Sequence, residues 1–135
     1  MDKRIKNFLK DEHLLCLSVC DENGVYPSSC YYVFCEENLS LCFKSDKDSK
    51  HIQLAKQNPK ISANIHKDSK ILGLLKGVQI KATFRNATQC EEALYYKRFP
   101  FARLGNGEVF ALVIDFAKYT DNKLLLKEKL TYIKE

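Results

Sequence analysis

No apolar run in this 135-residue chain approaches the length of a membrane span. The opening Met1-Asp2-Lys3-Arg4-Ile5-Lys6 also lacks the apolar core of a secretory signal, so a cytoplasmic location and no membrane partner are expected. There is no CxxC pair among the six cysteines, which leaves neither a zinc knuckle nor a thioredoxin-type redox site supported. Histidines number three (His13, His51 and His66) and are scattered, so no metal site is expected. Without a secretory signal, and in a chain long enough to bury a core unaided, the cysteines read as reduced, mostly buried small hydrophobes. Sustained basic stripes, internal repeats and low-complexity segments are all missing. The net charge of +5 comes from lysines interleaved with acids. A nucleic-acid-binding barrel would therefore rest on charge and a few aromatics alone, and no nucleic-acid partner is expected.

What is present is an ordinary globular composition, 45% hydrophobic and 29% charged, expected to form a single domain over residues 1–135. The stretch from Leu39 to Ser62, LSLCFKSDKDSKHIQLAKQNPKIS, carries the most chemistry. It reads as a strand, a polar loop, a short helix, an Asn-Pro stop and another strand. The first turn of a helix has unpaired N–H groups and the positive end of the helix dipole, and both favour an anion. Ser45 and Ser49 offer hydroxyls, while Lys44, Lys47 and Lys50 offer charge, so a phosphorylated small ligand fits. The same Ser45-Asp46-Lys47-Asp48-Ser49 also fits an ordinary capped helix, with acids in its first turn. The segment alone does not separate the two readings.

Along the chain, residues 2–12 place Ile5, Phe8 and Leu9 at helical spacing. His13–Cys20 and Tyr26–Phe34 read as strands joined by a turn over Asp21-Glu22-Asn23-Gly24. A third strand spans Leu39–Lys44, and a helix runs from about Asp48 to Gln57 before Pro59. Lys60–His66 and Leu74–Arg85 are strands, Thr88–Phe99 is a helix, and Glu108–Phe116 is a nearly continuous apolar strand. Tyr119-Thr120-Asp121-Asn122 reads as a turn, and Leu124–Ile133 as a terminal strand, a strand pair or a helix. Short helices among tight antiparallel hairpins imply a mainly β (α+β) protein, a six-stranded antiparallel barrel with short flanking helices.

In this order the chain resembles the FMN-binding split barrel of the pyridoxamine 5′-phosphate oxidase superfamily. The resemblance runs through Asp21–Gly24, Pro27–Phe34, Leu41–Ser45, Ser49-Lys50-His51 and Gln57–Ile61. It extends to a small bacterial branch through Lys76-Gly77-Val78-Gln79, Arg98-Phe99-Pro100-Phe101-Ala102-Arg103 and Tyr119-Thr120-Asp121-Asn122. The resemblance implies FMN as cofactor, an FMN-dependent oxidoreductase, and a homodimer with the flavin at its interface. By the same resemblance, Ser28, Ser29, Cys30, Tyr31 and Tyr32 line the flavin ring, while Ser45, Ser49 and Lys50 grip the phosphate with Lys44 and His51 in support. Gln79 reaches the flavin from the partner subunit, and Thr120, Asp121 and Asn122 touch its edge. Arg103 is a candidate substrate-facing cation, although cations near a helix C-terminus are favourable in any case.

Two departures limit the inference. The oxidases carry arginine where this chain has Ser29, and lysine where it has Phe34. Their arginine-rich C-terminal substrate site has no counterpart here, so vitamin B6 oxidase activity is not carried over. The alternative from the same fold is a non-catalytic ligand-binding or haem-handling protein, for which His13, His51 and His66 are the candidate ligands.

Overall fold

The computed structural model describes residues 1–124 and 129–135. Asp2 accepts a hydrogen bond from the Arg4 amide and starts α1 (Lys3–Asp11), which buries Ile5, Phe8 and Leu9. A tight hairpin joins β1 (Leu14–Asp21) to β2 (Gly24–Cys35), with Asp21 paired to Gly24 across Glu22 and Asn23. Gly24 takes φ +144, which a side chain would oppose. Then follow β3 (Ser40–Ser45), α2 (Lys50–Gln57), β4 (Lys60–Lys67) and β5 (Lys76–Asn86). The chain ends with α3 (Gln89–Arg98), β6 (Glu108–Asp121) and β7 (Leu130–Ile133). Short 3-10 turns lie at Leu72–Leu74, Pro100–Leu104 and Asn122–Leu124. Among the described residues, no helix is long and apolar enough to cross a membrane.

All strand pairs are antiparallel, in the order β3-β2-β1-β4-β5-β6-β7, and β3 also pairs with β6. That last pairing closes β1–β6 into a six-stranded barrel and leaves β7 as an added strand on β6. The two-residue alternation of strands decides the interior. Leu15, Leu17 and Val19 of β1 point inward, as do Ile61, Ala63 and Ile65 of β4, and Val78, Ile80, Ala82 and Phe84 of β5. α1 and α2 add Ile5, Phe8, Leu9, Ile52 and Ala55 to this core. The register between β5 and β6 slips at Lys81/Ala82, so Ile114 and Ala117 both face inward although three residues apart. Such a bulge bends a long strand, and here it lets β6 serve β3 with its first half and β7 with its second.

A second, smaller core lies outside the barrel under α3, where Val33, Cys35, Cys42, Tyr95, Val109 and Ala111 meet. This explains why Glu108–Phe116 is apolar without alternation: both of its faces are covered. Three of the six free cysteines (Cys30, Cys35 and Cys42) are buried as expected of small hydrophobes. Cys16, Cys20 and Cys90 are instead exposed, the first two on the outer face of β1.

The expected turn at Tyr119–Asn122 is corrected. β6 continues through Asp121, pairing Tyr119 with Val78 and Asp121 with Lys76, and the chain turns only at Asn122. Tertiary pairing and a Lys76–Asp121 ion pair at 3.7 Å outweigh the local turn preference of Thr-Asp-Asn. Of the expected terminal element, Leu130–Ile133 is a strand, and residues 125–128 lie outside the described residues.

α3 is anchored by a fully buried carboxylate. Glu91 closes a capping box with Thr88 and takes two hydrogen bonds from Arg85, at 2.6 and 3.1 Å. It also accepts from the buried Ser40 hydroxyl of β3. Burial pushes the Glu91 carboxyl up, but Arg85, Ser40 and the Thr88 amide outweigh it and bring it from 4.5 down to about 2. A lowered folded value stabilises the protein above the unfolded value, and that stabilisation drains as pH falls from about 4.5 toward 2. Glu91→Gln is expected to cost about 2–3 kcal/mol at pH 7, because Arg85 is partly solvated and the loss sits at the low end for a broken buried pair. Urea denaturation across pH 2–7 checks both points. The variant's stability should fall less steeply with acid than the wild type's.

Candidate functional site

Where β3 ends, a group of polar side chains gathers at the N-terminus of α2. Asp46 folds its own loop: its carboxylate accepts from the Asp48 amide at 2.9 Å, and its carbonyl accepts from the Ser49 hydroxyl at 2.7 Å. Ser49 sits at the N-cap of α2 but makes no side-chain cap to the helix. The first-turn amides of α2 are therefore left without the usual hydroxyl partner. Ser45 Oγ lies 2.8 Å from His51 Nε2 and 3.3 Å from Ser49 Oγ, which makes one hydroxyl–imidazole–hydroxyl cluster. Burial pulls the half-buried His51 below the ordinary 6.5, which keeps the imidazole neutral at pH 7.

The neighbouring lysines do not converge on this cluster. Leu41 and Phe43 point into the barrel, so Ser45 shares their side of β3 and Lys44 takes the other. The Lys44 ammonium donates to the carbonyls of Ala102 and Gly105 and lies 5.0 Å from the Tyr96 ring centroid. It holds down the Pro100–Leu104 turn. Lys50 spans to the β1–β2 hairpin, 3.9 Å from Asp21 and 4.5 Å from the Tyr26 ring centroid. Its side chain is 58% exposed, so that ion pair is weak and the ammonium can be redirected. Arg98 donates to the carbonyls of Tyr32 and Glu12, while Arg103 stacks over Tyr96.

β2 supplies an open edge beside the cluster. β3 pairs with β2 only over Tyr32–Cys35, so among the described residues Val25–Tyr31 has no strand on that side. The Tyr32 amide donates to His13 on the β1 side, so even-numbered residues bond toward β1 and odd-numbered ones toward the open edge. Ser29 and Tyr31 thus direct their amides and carbonyls outward along that edge. Pro27, which has no N–H to leave unpaired, falls in the same phase. Ser28 and Cys30 share the inward face of β2 with buried Tyr32, whose hydroxyl donates to the Leu9 carbonyl at 2.8 Å. Tyr32 is a core residue. Tyr31 is 57% exposed and stacks against His13.

The remaining expected residues lie far from Ser45. On β6, Ser45 pairs with Glu108 and Gln79 with Lys118, which puts roughly 30 Å of extended strand between them. Gln79 and Thr120 line a surface cleft of about 320 Å³ with Asn64, His66 and Leu75. Asp121 is buried, ion-paired to Lys76 and hydrogen-bonded by the Tyr119 hydroxyl at 3.3 Å. Burial pushes that Tyr119 phenol up to about 12. Asn122 donates its side-chain amide to the Leu72 carbonyl and its backbone amide to that of Leu75. Asn122 therefore ties the end of β6 to the Leu72–Leu74 turn, and Asp121 ties it to Lys76 at the start of β5. One chain does not bring these residues to the Ser45 cluster.

Sequence reasoning missed Asn64, which stands opposite Gln79 on β4, and Gly107. Alternation in KISANIH would have put Asn64 and His66 on one outward face. Gly107 adopts φ +119 against the backbone of Ser45, where an added Cβ would meet the Ser45 carbonyl oxygen at 2.9 Å.

An antiparallel barrel closed by β3 yet open along half of β2 is a split barrel. Solved structures with this fold include the haem storage protein HutZ of Vibrio cholerae, at TM-score 0.68 and 18% identity over 98% of this chain and 93% of that one. A putative pyridoxamine 5′-phosphate oxidase of Listeria innocua matches at TM-score 0.70 and 14% identity, over 87% and 96%. An FAD-binding protein of Mesorhizobium loti matches at 0.70 and 12%, over 84% and 87%. At such identities the likeness speaks for the fold alone. No protein-family model matches the chain. A UPF0306 protein of Campylobacter jejuni is 43% identical over the full length of both chains. The chain belongs to the UPF0306 family.

Gly107→Ala is expected to lower stability by about 1–3 kcal/mol through backbone strain and to push Ser45 out of register with His51. Gly105→Ala serves as the control, since its Cβ would meet no atom closer than 3.9 Å. Thermal melts of the two variants should separate clearly, with the Gly105 variant near wild type.

Proposed function

We propose that this protein binds FMN, with the phosphate at Ser45, Ser49 and the α2 N-terminus, and works as a flavin-dependent oxidoreductase. The observation that carries the reading is the Ser45–Ser49–His51 cluster on an uncapped helix start beside the open edge of β2. These groups fit a phosphate monoester: two hydroxyls, an imidazole, first-turn amides, and Lys50 within reach of its own helix start. The carboxylate of Asp46 accepts from the Asp48 amide in the loop it shapes and keeps its negative charge there. Main-chain groups of Ser29 and Tyr31 suit the polar rim of a flavin ring. Ser28 and Cys30 form the inward side of the same strand.

The anchor differs from that of the B6 oxidases. Phe34, where they carry lysine, is packed in the core, and Ser29 has no charge to offer. Hydroxyls, amides and Lys50 bear the phosphate instead. This supports a flavoprotein that is not a pyridoxamine phosphate oxidase. When bound, the flavin supplies the hydride or electron transfer, and the chain's part is to hold the phosphate, orient the ring and shape the cleft. A second copy, with its Gln79 and Thr120 turned to the ring, completes the site in this reading. The exposed Ile71, Leu72, Leu74 and Leu75 beside the Gln79 cleft support such an apposition.

A haem-handling role is the second reading, favoured by the shared fold with HutZ. His51 is engaged with Ser45, so the exposed His13 and His66 would be the haem ligands.

Absorbance spectroscopy of purified protein decides between them. Flavin bands and FMN released on denaturation are expected, and a Soret band on haem titration would favour the second reading. Protein that is colourless and takes up no added FMN at micromolar concentration overturns the flavin proposal. Ser45→Ala and Ser49→Ala should each weaken FMN about tenfold or more while leaving riboflavin affinity unchanged, as expected for hydrogen bonds to a charged group.

A further inference from the structure

Among the titratable groups around the Ser45 cluster, only the His51 imidazole is bonded into it. The others are Lys44 on β3, Asp46, Lys47 and Asp48 in the loop, Lys50 on α2, Asp21 and Glu22 on the facing hairpin, and Glu108 opposite Ser45 on β6. Lys44 is committed to two carbonyls, Lys50 rests in a weak pair with Asp21 beside the Tyr26 ring, and the Asp46 carboxylate accepts from an amide. Lys44 and Lys50 thus lie at the margin, and the switchable group lies at the centre.

We infer that phosphate binding at this site is proton-linked through His51: the imidazole takes up a proton as a phosphate monoester docks on Ser45 and Ser49. This rests on the phosphate-site reading given above. In the free protein burial alone lowers the His51 value, so the ring is neutral at pH 7 and Nε2 shares one hydrogen bond with Ser45. A phosphate dianion arriving beside the ring favours the charged imidazolium, which donates to it from Nε2. The proton comes from solvent and returns there on release. Binding that takes up a proton tightens as pH falls, by at most about tenfold per pH unit. Below about pH 6 the phosphate itself accepts its second proton, and the gain reverses.

Titration of flavin-free protein with FMN, and with riboflavin in parallel, tests this at pH 8.0, 7.2 and 6.5. FMN is expected to bind about five- to tenfold more tightly at pH 6.5 than at pH 8.0, with riboflavin unchanged. His51→Gln should flatten the FMN profile, and His51→Lys should bind tightly at every pH. FMN that binds equally at all three values, or a His51→Gln profile as steep as the wild type's, overturns the proton linkage and leaves the phosphate site standing. Absence of FMN binding at every pH overturns both.

Discussion

Closure of the barrel by a strand that is too short governs both the fold and the candidate site. β3 has six residues and must pair with β2 on one edge and β6 on the other. It meets all of its length on β6 but only four residues of the twelve-residue β2. The unmatched length of β2 becomes an open edge, and β3 stops beside it at Ser45. A longer β3 would fill that edge with ladder hydrogen bonds and leave no cleft. The shortness is fixed at both ends: Leu39 enters from a left-handed φ of 48°, and Gly107 presses on the Ser45 backbone where β3 leaves for α2. The ion pair of Glu91 with Arg85 acts on the same strand, because Glu91 also bonds Ser40 at the start of β3. Stability and site geometry therefore share one six-residue element.

Much of this architecture was legible because each device works through local spacing. Ile61, Ala63 and Ile65 alternate, as do Val78, Ile80, Ala82 and Phe84, and both runs became barrel walls. The Asn23-Gly24 hairpin and the Asn58-Pro59 helix stop follow from backbone preference alone. Misread elements depend on distant partners. Thr120-Asp121-Asn122 has turn composition, yet β5 supplies pairing partners and Lys76 neutralises Asp121, so the strand runs on. Cys16 and Cys20 lie on an outward phase of β1 that alternation with Leu15, Leu17 and Val19 already implies.

The candidate site divides along the same line. Hydroxyls on a loop and helix start are placed by short-range geometry, so Ser45, Ser49 and His51 could be grouped from sequence. The lysines could not, because a long flexible side chain goes where its best partner is. Lys44 is the instructive case: strand phase sends it away from Ser45, and the carbonyls closing the Pro100–Leu104 turn then hold it. Tyr32 is placed by burial: its ring lies in the barrel core and its hydroxyl serves α1.

These placements bear on how a phosphate could be held here. A clamp of fixed guanidinium groups binds tightly and is indifferent to pH, whereas hydroxyls, amides and one neutral imidazole bind less tightly and respond to protons. The residues around Gln79 cannot strengthen that clamp from within the same chain, given the length of β6 that separates them. Asp121 is already paired with Lys76 and Asn122 already secures the Leu72–Leu74 turn, which leaves Gln79, Thr120 and Asn64 among the polar groups of that end open to a ligand or a second subunit. Two half-sites at opposite ends of one barrel are of little use to a single small molecule. In the proposed dimer, a second copy would bring them together beside the open edge of β2 that the short β3 leaves behind.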